Sequence, residues 1–102
     1  MTLEQLFHAF VTVLRKRLAN MPNPPKELRE RVEALTLADM PTQAQGLLRT
    51  IPAAADGRTG SCNYQVNGQS FCLENVTATE CANLGGIFTE GGFCALPSWP
   101  PQ

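Results

Sequence analysis

Four cysteines carry the clearest chemical signal in this chain: Cys62, Cys72, Cys81 and Cys94, spaced C-x9-C-x8-C-x12-C. Thiols serve as metal ligands, as redox or nucleophilic groups, or as disulfide partners. A structural zinc site draws its ligands from tight pairs about two to four residues apart, and this sequence holds no such pair. A four-cysteine metal site would leave free thiols in the denatured, non-reduced chain. A redox Cys-x-x-Cys is absent as well. A catalytic cysteine needs an activating base, and the single histidine, His8, falls with Glu4, Thr12 and Arg15 on the polar side of a helix, a linker away from every cysteine. No carboxylate pair is set in a rigid frame, and Gly85-Gly86 and Gly91-Gly92 read as turns. The expectation is no catalytic residue, no metal, no cofactor and no enzyme. The four cysteines are left to form two disulfides.

The sequence around the first two cysteines narrows the connectivity. Asn63 to Phe71 alternates around Asn67-Gly68, the strongest short hairpin signal. A two-residue loop there sets Val66 opposite Gln69, Tyr64 opposite Phe71 and Cys62 opposite Leu73. Side chains alternate between faces, so Cys62, Tyr64, Val66, Phe71 and Leu73 share one face and Cys72 points to the other. A Cys62–Cys72 bridge is therefore disfavoured. Two pairings remain, and in both, Cys81 and Cys94 are tied to the first hairpin. Each bridge closes a loop worth on the order of 3 kcal/mol.

These cysteines need elements to hold them. Thr77 and Glu80 form a capping box that opens a short helix through Leu84, and Gly85-Gly86 ends it. Ile87–Glu90, Gly91-Gly92 and Phe93–Leu96 read as a second hairpin. Upstream, Leu3, Leu6, Phe7, Phe10, Val13, Leu14 and Leu18 repeat at helical spacing, with Thr2 and Gln5 as a capping box. Asn23 caps a second helix with Pro24 at its first position and Leu28, Val32 and Leu35 as its stripe; Glu27 and Arg31 are its favourable i, i+4 pair. Ala44, Leu47, Leu48 and Ile51 mark a third helix. The basic run Arg15-Lys16-Arg17 fits a solvated helix C-terminus rather than a phosphate site. The fold class is α+β: a helical hairpin or mini-bundle of three short helices, then a disulfide-stapled hairpin-helix-hairpin module.

Charge and composition divide the chain. Residues 1–57 carry seven of the eight Lys/Arg, whereas residues 58–102 hold all four cysteines and six of the eight glycines. The expected organisation is a helical segment at 1–52, a linker at 53–60, the disulfide module at 61–96 and an extended proline-rich tail at 97–102. The net charge of −1 supplies no field for nucleic acid or an anionic membrane. No run of about 18 apolar residues exists to span a bilayer. Glu4 stands where a secretory signal has basic residues, His8 interrupts the apolar run, and Arg15-Lys16-Arg17 follows it. Disulfides persist mainly in oxidising compartments. The expected localisation is extracytoplasmic, by a route without a standard signal or with residues 1–57 as the address.

From Cys72 through Thr77-Ala78-Thr79-Glu80-Cys81-Ala82-Asn83-Leu84-Gly85-Gly86-Ile87-Phe88 to Gly91-Gly92-Phe93-Cys94, the chain resembles short cysteine-rich repeats of bacterial secreted and surface proteins. Their pattern is of the type C…T-x-x-x-C-x-x-x-G-G-x-F…G-x-x-C. The resemblance covers about a third of the chain, within 62–94, and implies a disulfide-bonded extracytoplasmic module without catalytic activity. Asn75-Val76-Thr77 fits a glycosylation sequon. Trp99 either folds back over Tyr64, Val66 or Phe71, or stands out as an anchor for a partner. The stripe Leu3, Leu6, Phe7 and Phe10 either closes the protein's own core or completes itself on another chain. The function expected is a non-enzymatic structural or protein-interaction role, with a protein partner or self-association through the amphipathic helices. The alternative is a precursor with a helical leader at 1–57 and a cysteine-bearing, toxin-like or antimicrobial product at 58–102.

Overall fold

The hairpin falls where Asn67-Gly68 places it. The computed structural model, which describes residues 2–54 and 57–101, has strands β1 (Thr59–Val66) and β2 (Gln69–Thr77) in antiparallel register. Val66 faces Gln69, Tyr64 faces Phe71 and Cys62 faces Leu73, as the alternation requires. Asn67 and Gly68 take φ of 52° and 80°, the left-handed pair that lets a two-residue turn match the strand twist. One face of the hairpin, Cys62, Tyr64, Val66 and Leu73, is buried.

Helix α4 (Ala78–Asn83) starts on the Thr77–Glu80 capping box and ends at Gly85, whose φ of 75° suits the position after a helix. Strand β3 (Ile87–Glu90) then pairs with β1 rather than with the residues that follow it, so the sheet order is β2-β1-β3. The segment 93–96 forms no strand and the second hairpin is not made. Cys94 explains why: its side chain is bonded to Cys72, and its N–H donates to the Glu74 carboxylate instead of to a ladder partner.

Three α-helices and a short 3₁₀ turn (Leu37–Asp39) cover the buried face. Helix α1 (Leu3–Ala19) begins on the Thr2–Gln5 capping box. Helix α2 (Lys26–Glu33) starts two residues later than Asn23-Pro24 suggests, with Pro25 as its N-cap. The reason is Pro25 itself: a residue before proline is driven out of the helical region, so Pro24 cannot be helical. The intrahelical ion pair of α2 is Lys26–Glu30 at 3.6 Å, while Arg31 turns to Gln43 of α3 (Met40–Thr50). The helices and the sheet share one apolar cluster, which runs from Leu6 and Phe10 through Leu47 and Ile51 to Leu73, Leu84 and Trp99. The radius of gyration, 12.7 Å, is that of one globule of this length, about 13 Å.

Of the stretch 53–60, Thr59 and Gly60 belong to β1, and Ala55 and Asp56 lie outside the described residues, as do Met1 and Gln102 of the end segments. Among the described residues, no helix is long and apolar enough to cross a membrane.

Two devices fasten the helices to the sheet. The first is a β-bulge. Between Gly60–Val76 and Cys62–Leu73 the register shifts, so that Glu74 and Asn75 together oppose Ser61. Asn75 sits at φ 64°, a conformation asparagine tolerates better than most residues. At the bulge, the Gln45 side chain of α3 takes the place of a ladder partner for the Glu74 backbone. It donates to the Glu74 carbonyl at 2.8 Å and accepts from the Glu74 N–H at 2.9 Å. The second is Arg17, which is 1% exposed. Its five N–H groups meet both Glu80 oxygens (2.9 and 2.7 Å), the Leu48 and Ile51 carbonyls at the end of α3 (2.9 and 2.8 Å), and the Asn75 carbonyl (2.7 Å). Arg17 is therefore not part of a solvated basic run. It lies four residues after Val13 and seven after Phe10, on the apolar face of α1.

Candidate interaction surface

The two disulfides are Cys62–Cys81 and Cys72–Cys94, with Cα atoms 5.5 and 5.8 Å apart. The first joins the inward face of β1 to α4 and is fully buried. The second lies on the outer face of the sheet, because Cys72 alternates with the buried Leu73. It draws the chain after Gly91-Gly92 back across that face. The following residues make few hydrogen bonds to the rest of the protein. The Ser98 N–H donates to the Cys72 carbonyl at 2.8 Å, the Tyr64 hydroxyl donates to the Ser98 carbonyl at 3.0 Å, and Trp99 is buried.

The residues expected to meet a partner are placed mostly inside. Leu6 and Phe10 lie in the core, and Leu3 and Phe7 are partly buried against it. Trp99 is 4% exposed and stacks edge-on against Phe10, with ring centroids 5.1 Å apart, and obliquely against Tyr64 at 6.4 Å. It folds back on the protein rather than standing out as an anchor. The apolar stripe of α1 found its complement in the sheet and the tail, leaving Leu6, Phe10 and Trp99 nothing to present to another chain.

Among the described residues, three other large apolar side chains are exposed: Ile87 at 76%, Phe93 at 85% and Leu96 at 78%. Ile87 and Cys72 flank Asn63 on the outer face, paired to it from either side. Two shallow depressions adjoin there and share Asn63 and Ser70; one is bordered by Ile87, the other by Phe93, Leu96 and the Cys72–Cys94 bridge. No charged side chain lines either depression. The sequence reading missed this surface by assigning Phe93–Leu96 to a strand.

Two carboxylates of the module, Glu74 and Glu80, are each paired with an arginine of the helices. The Glu74 carboxyl is held below its ordinary value by the Cys94 N–H and by Arg49, whose guanidinium donates to it at 2.8 Å. Burial pushes the Glu80 carboxyl up, but Arg17 and the Thr77 N–H outweigh it and the net direction is down. Burial raises the Tyr64 hydroxyl, which stays a neutral donor to Ser98. The sequon asparagine is engaged as well, since the Asn75 amide donates to the Leu48 carbonyl at 2.7 Å. His8 is exposed on α1, and among the described residues no three His, Cys, Asp or Glu side chains converge as a metal site would require. No protein family, curated protein or solved structure matches this chain.

Proposed function

We propose that this chain is a non-enzymatic interaction module that works outside the cytoplasm and assembles with copies of itself through the outer face of its sheet. The observation that carries this reading is the group of Ile87, Phe93 and Leu96, each more than three-quarters exposed, around an uncharged strip. In a two-fold contact each surface meets itself, and a patch without charge meets no repulsion there. The extracytoplasmic setting rests on the two disulfides and on the likeness of residues 62–94 to secreted cysteine-rich repeats.

The shared core favours this reading over a cleaved precursor. A product at 58–102 would leave Glu80 without Arg17 and strip the helices from Leu73 and Val76. Sedimentation velocity over a wide concentration range is the test. The wild type should sediment faster as concentration rises, and Phe93→Asp/Leu96→Asp should remain a monomer with an unchanged melting temperature. A wild type that is monomeric throughout rejects self-assembly.

A further inference from the structure

The two disulfides differ in what surrounds them. Cys62 and Cys81 are both 0% exposed, and Gly86 closes over their bridge. A Cβ at position 86 would collide with Cys62 Sγ and lie 3.2 Å from Cys81 Sγ, which leaves no approach for a reductant. Cys72 and Cys94 are only partly buried, and both line an open depression of ≈ 260 Å³ on the outer face. Thiol–disulfide exchange requires a thiolate to reach a sulfur atom, so access separates the two bridges.

The partly exposed bridge also fastens a segment whose other ties are few hydrogen bonds and the burial of Trp99 and Pro100. Between Phe93 and Pro101 the chain has three prolines, which have no N–H to donate. Its direct bonds to the rest of the protein are Cys94 N–H to Glu74, Ser98 N–H to Cys72 and the Tyr64 hydroxyl to Ser98. Trp99 fills the core, but its Nε1–H is the only buried side-chain donor or acceptor among the described residues without a partner. A buried unpaired donor opposes its own burial. Trp99 would recover a hydrogen bond to water on leaving.

We propose that Cys72–Cys94 is a redox latch: a dithiol reductant opens it while Cys62–Cys81 holds the fold, and the segment after Gly92 comes away with Trp99. One thiolate of the reductant attacks a sulfur of the bridge, giving a mixed disulfide and one free cysteine thiol. The second reductant thiol displaces the other cysteine. Two electrons and two protons pass to the protein, and the reductant leaves as its disulfide. The latch deepens the surface reading and rests on it for its consequence, because Phe93 and Leu96 ride on the segment that is released and an assembled copy would lose its contacts.

The test uses the full oxidised chain, graded dithiothreitol, trapping with N-ethylmaleimide and peptide mass mapping, with Trp99 fluorescence followed in parallel. Trp99 is the only tryptophan, so its emission reports the tail alone. The expected result is labelling of Cys72 and Cys94 at dithiothreitol concentrations at least tenfold below those that label Cys62 and Cys81. A red-shifted, quencher-accessible Trp99 and unchanged far-ultraviolet circular dichroism should accompany it. Cys72→Ser/Cys94→Ser should be folded with the same exposed Trp99. Joint opening of both bridges, first opening of Cys62–Cys81, a native Trp99 spectrum after labelling, or an unfolded double variant would each overturn the latch. All readouts are taken at a protein concentration where sedimentation shows the monomer, so the latch and the assembly surface stand or fall separately.

Discussion

Arg17 and Glu80, 63 residues apart in sequence, meet in a two-pronged ion pair of 2.9 and 2.7 Å that joins the first helix to the capping box of the last. Glu80 thereby serves twice, since the same carboxylate accepts from the Thr77 N–H at 2.9 Å. A largely buried pair of this kind is costly to break, because removing Arg17 leaves Glu80 short of solvent and the Leu48, Ile51 and Asn75 carbonyls without their guanidinium donor. Arg17→Ala should destabilise the protein by about 3–5 kcal/mol in urea denaturation. Arg17→Met/Glu80→Gln should lose less than the sum of the two single changes. Additive losses would show that the two groups are not coupled.

Acid should weaken the same contact. Glu80 and Glu74 are both held below the ordinary carboxylate value of 4.5 in the folded state. The unfolded chain therefore takes up protons first as pH falls. Their contribution is complete above 4.5 and is lost as pH drops below it through the folded values. Glu80→Gln should flatten that limb of the stability profile, and a slope unchanged by the substitution would exclude Glu80 as its source.

Two glycines should respond to alanine with opposite signs. Gly46 lies in α3 with open space where a Cβ would be, so Gly46→Ala should stabilise by about 0.5–1 kcal/mol through helix propensity. Gly86→Ala puts a methyl group against the Cys62–Cys81 bridge and 2.8 Å from the Asn63 carbonyl; by the usual scale of overpacking it should cost about 1–3 kcal/mol. Thermal melts of both variants decide this.

The bulge makes a finer prediction. Asn75 supplies a left-handed backbone and an amide bond to Leu48. Asn75→Gly retains the first and loses the second, for a loss of about 1 kcal/mol. Asn75→Ala loses both and should cost about 1–2 kcal/mol more. Equal losses in the two variants would mean that the backbone conformation carries no part of the effect.

Much of the local structure was legible. Asn67-Gly68 set the hairpin register, and that register alone excluded a Cys62–Cys72 bridge. Thr2–Gln5 and Thr77–Glu80 announced two helix starts, because a capping box is made by residues three apart. Pro25 moved the start of α2 for an equally local reason, although Asn23-Pro24 resembled a start. The candidate surface was hidden, since exposure of Phe93 and Leu96 depends on where the Cys72–Cys94 bridge pulls the chain.

The sequence by itself determined what short-range geometry dictates: the turn, the caps, the alternation of faces and the α+β class. Tertiary structure alone decided that Cys81 goes to Cys62 and Cys94 to Cys72, that β3 adds to β1, and that Arg17 is buried instead of solvated. It also decided that Trp99 closes the core while Phe93 and Leu96 remain outside. Each of these outcomes depends on which of several chemically acceptable partners lies within reach, and reach is set only when the helices and the sheet pack around one core.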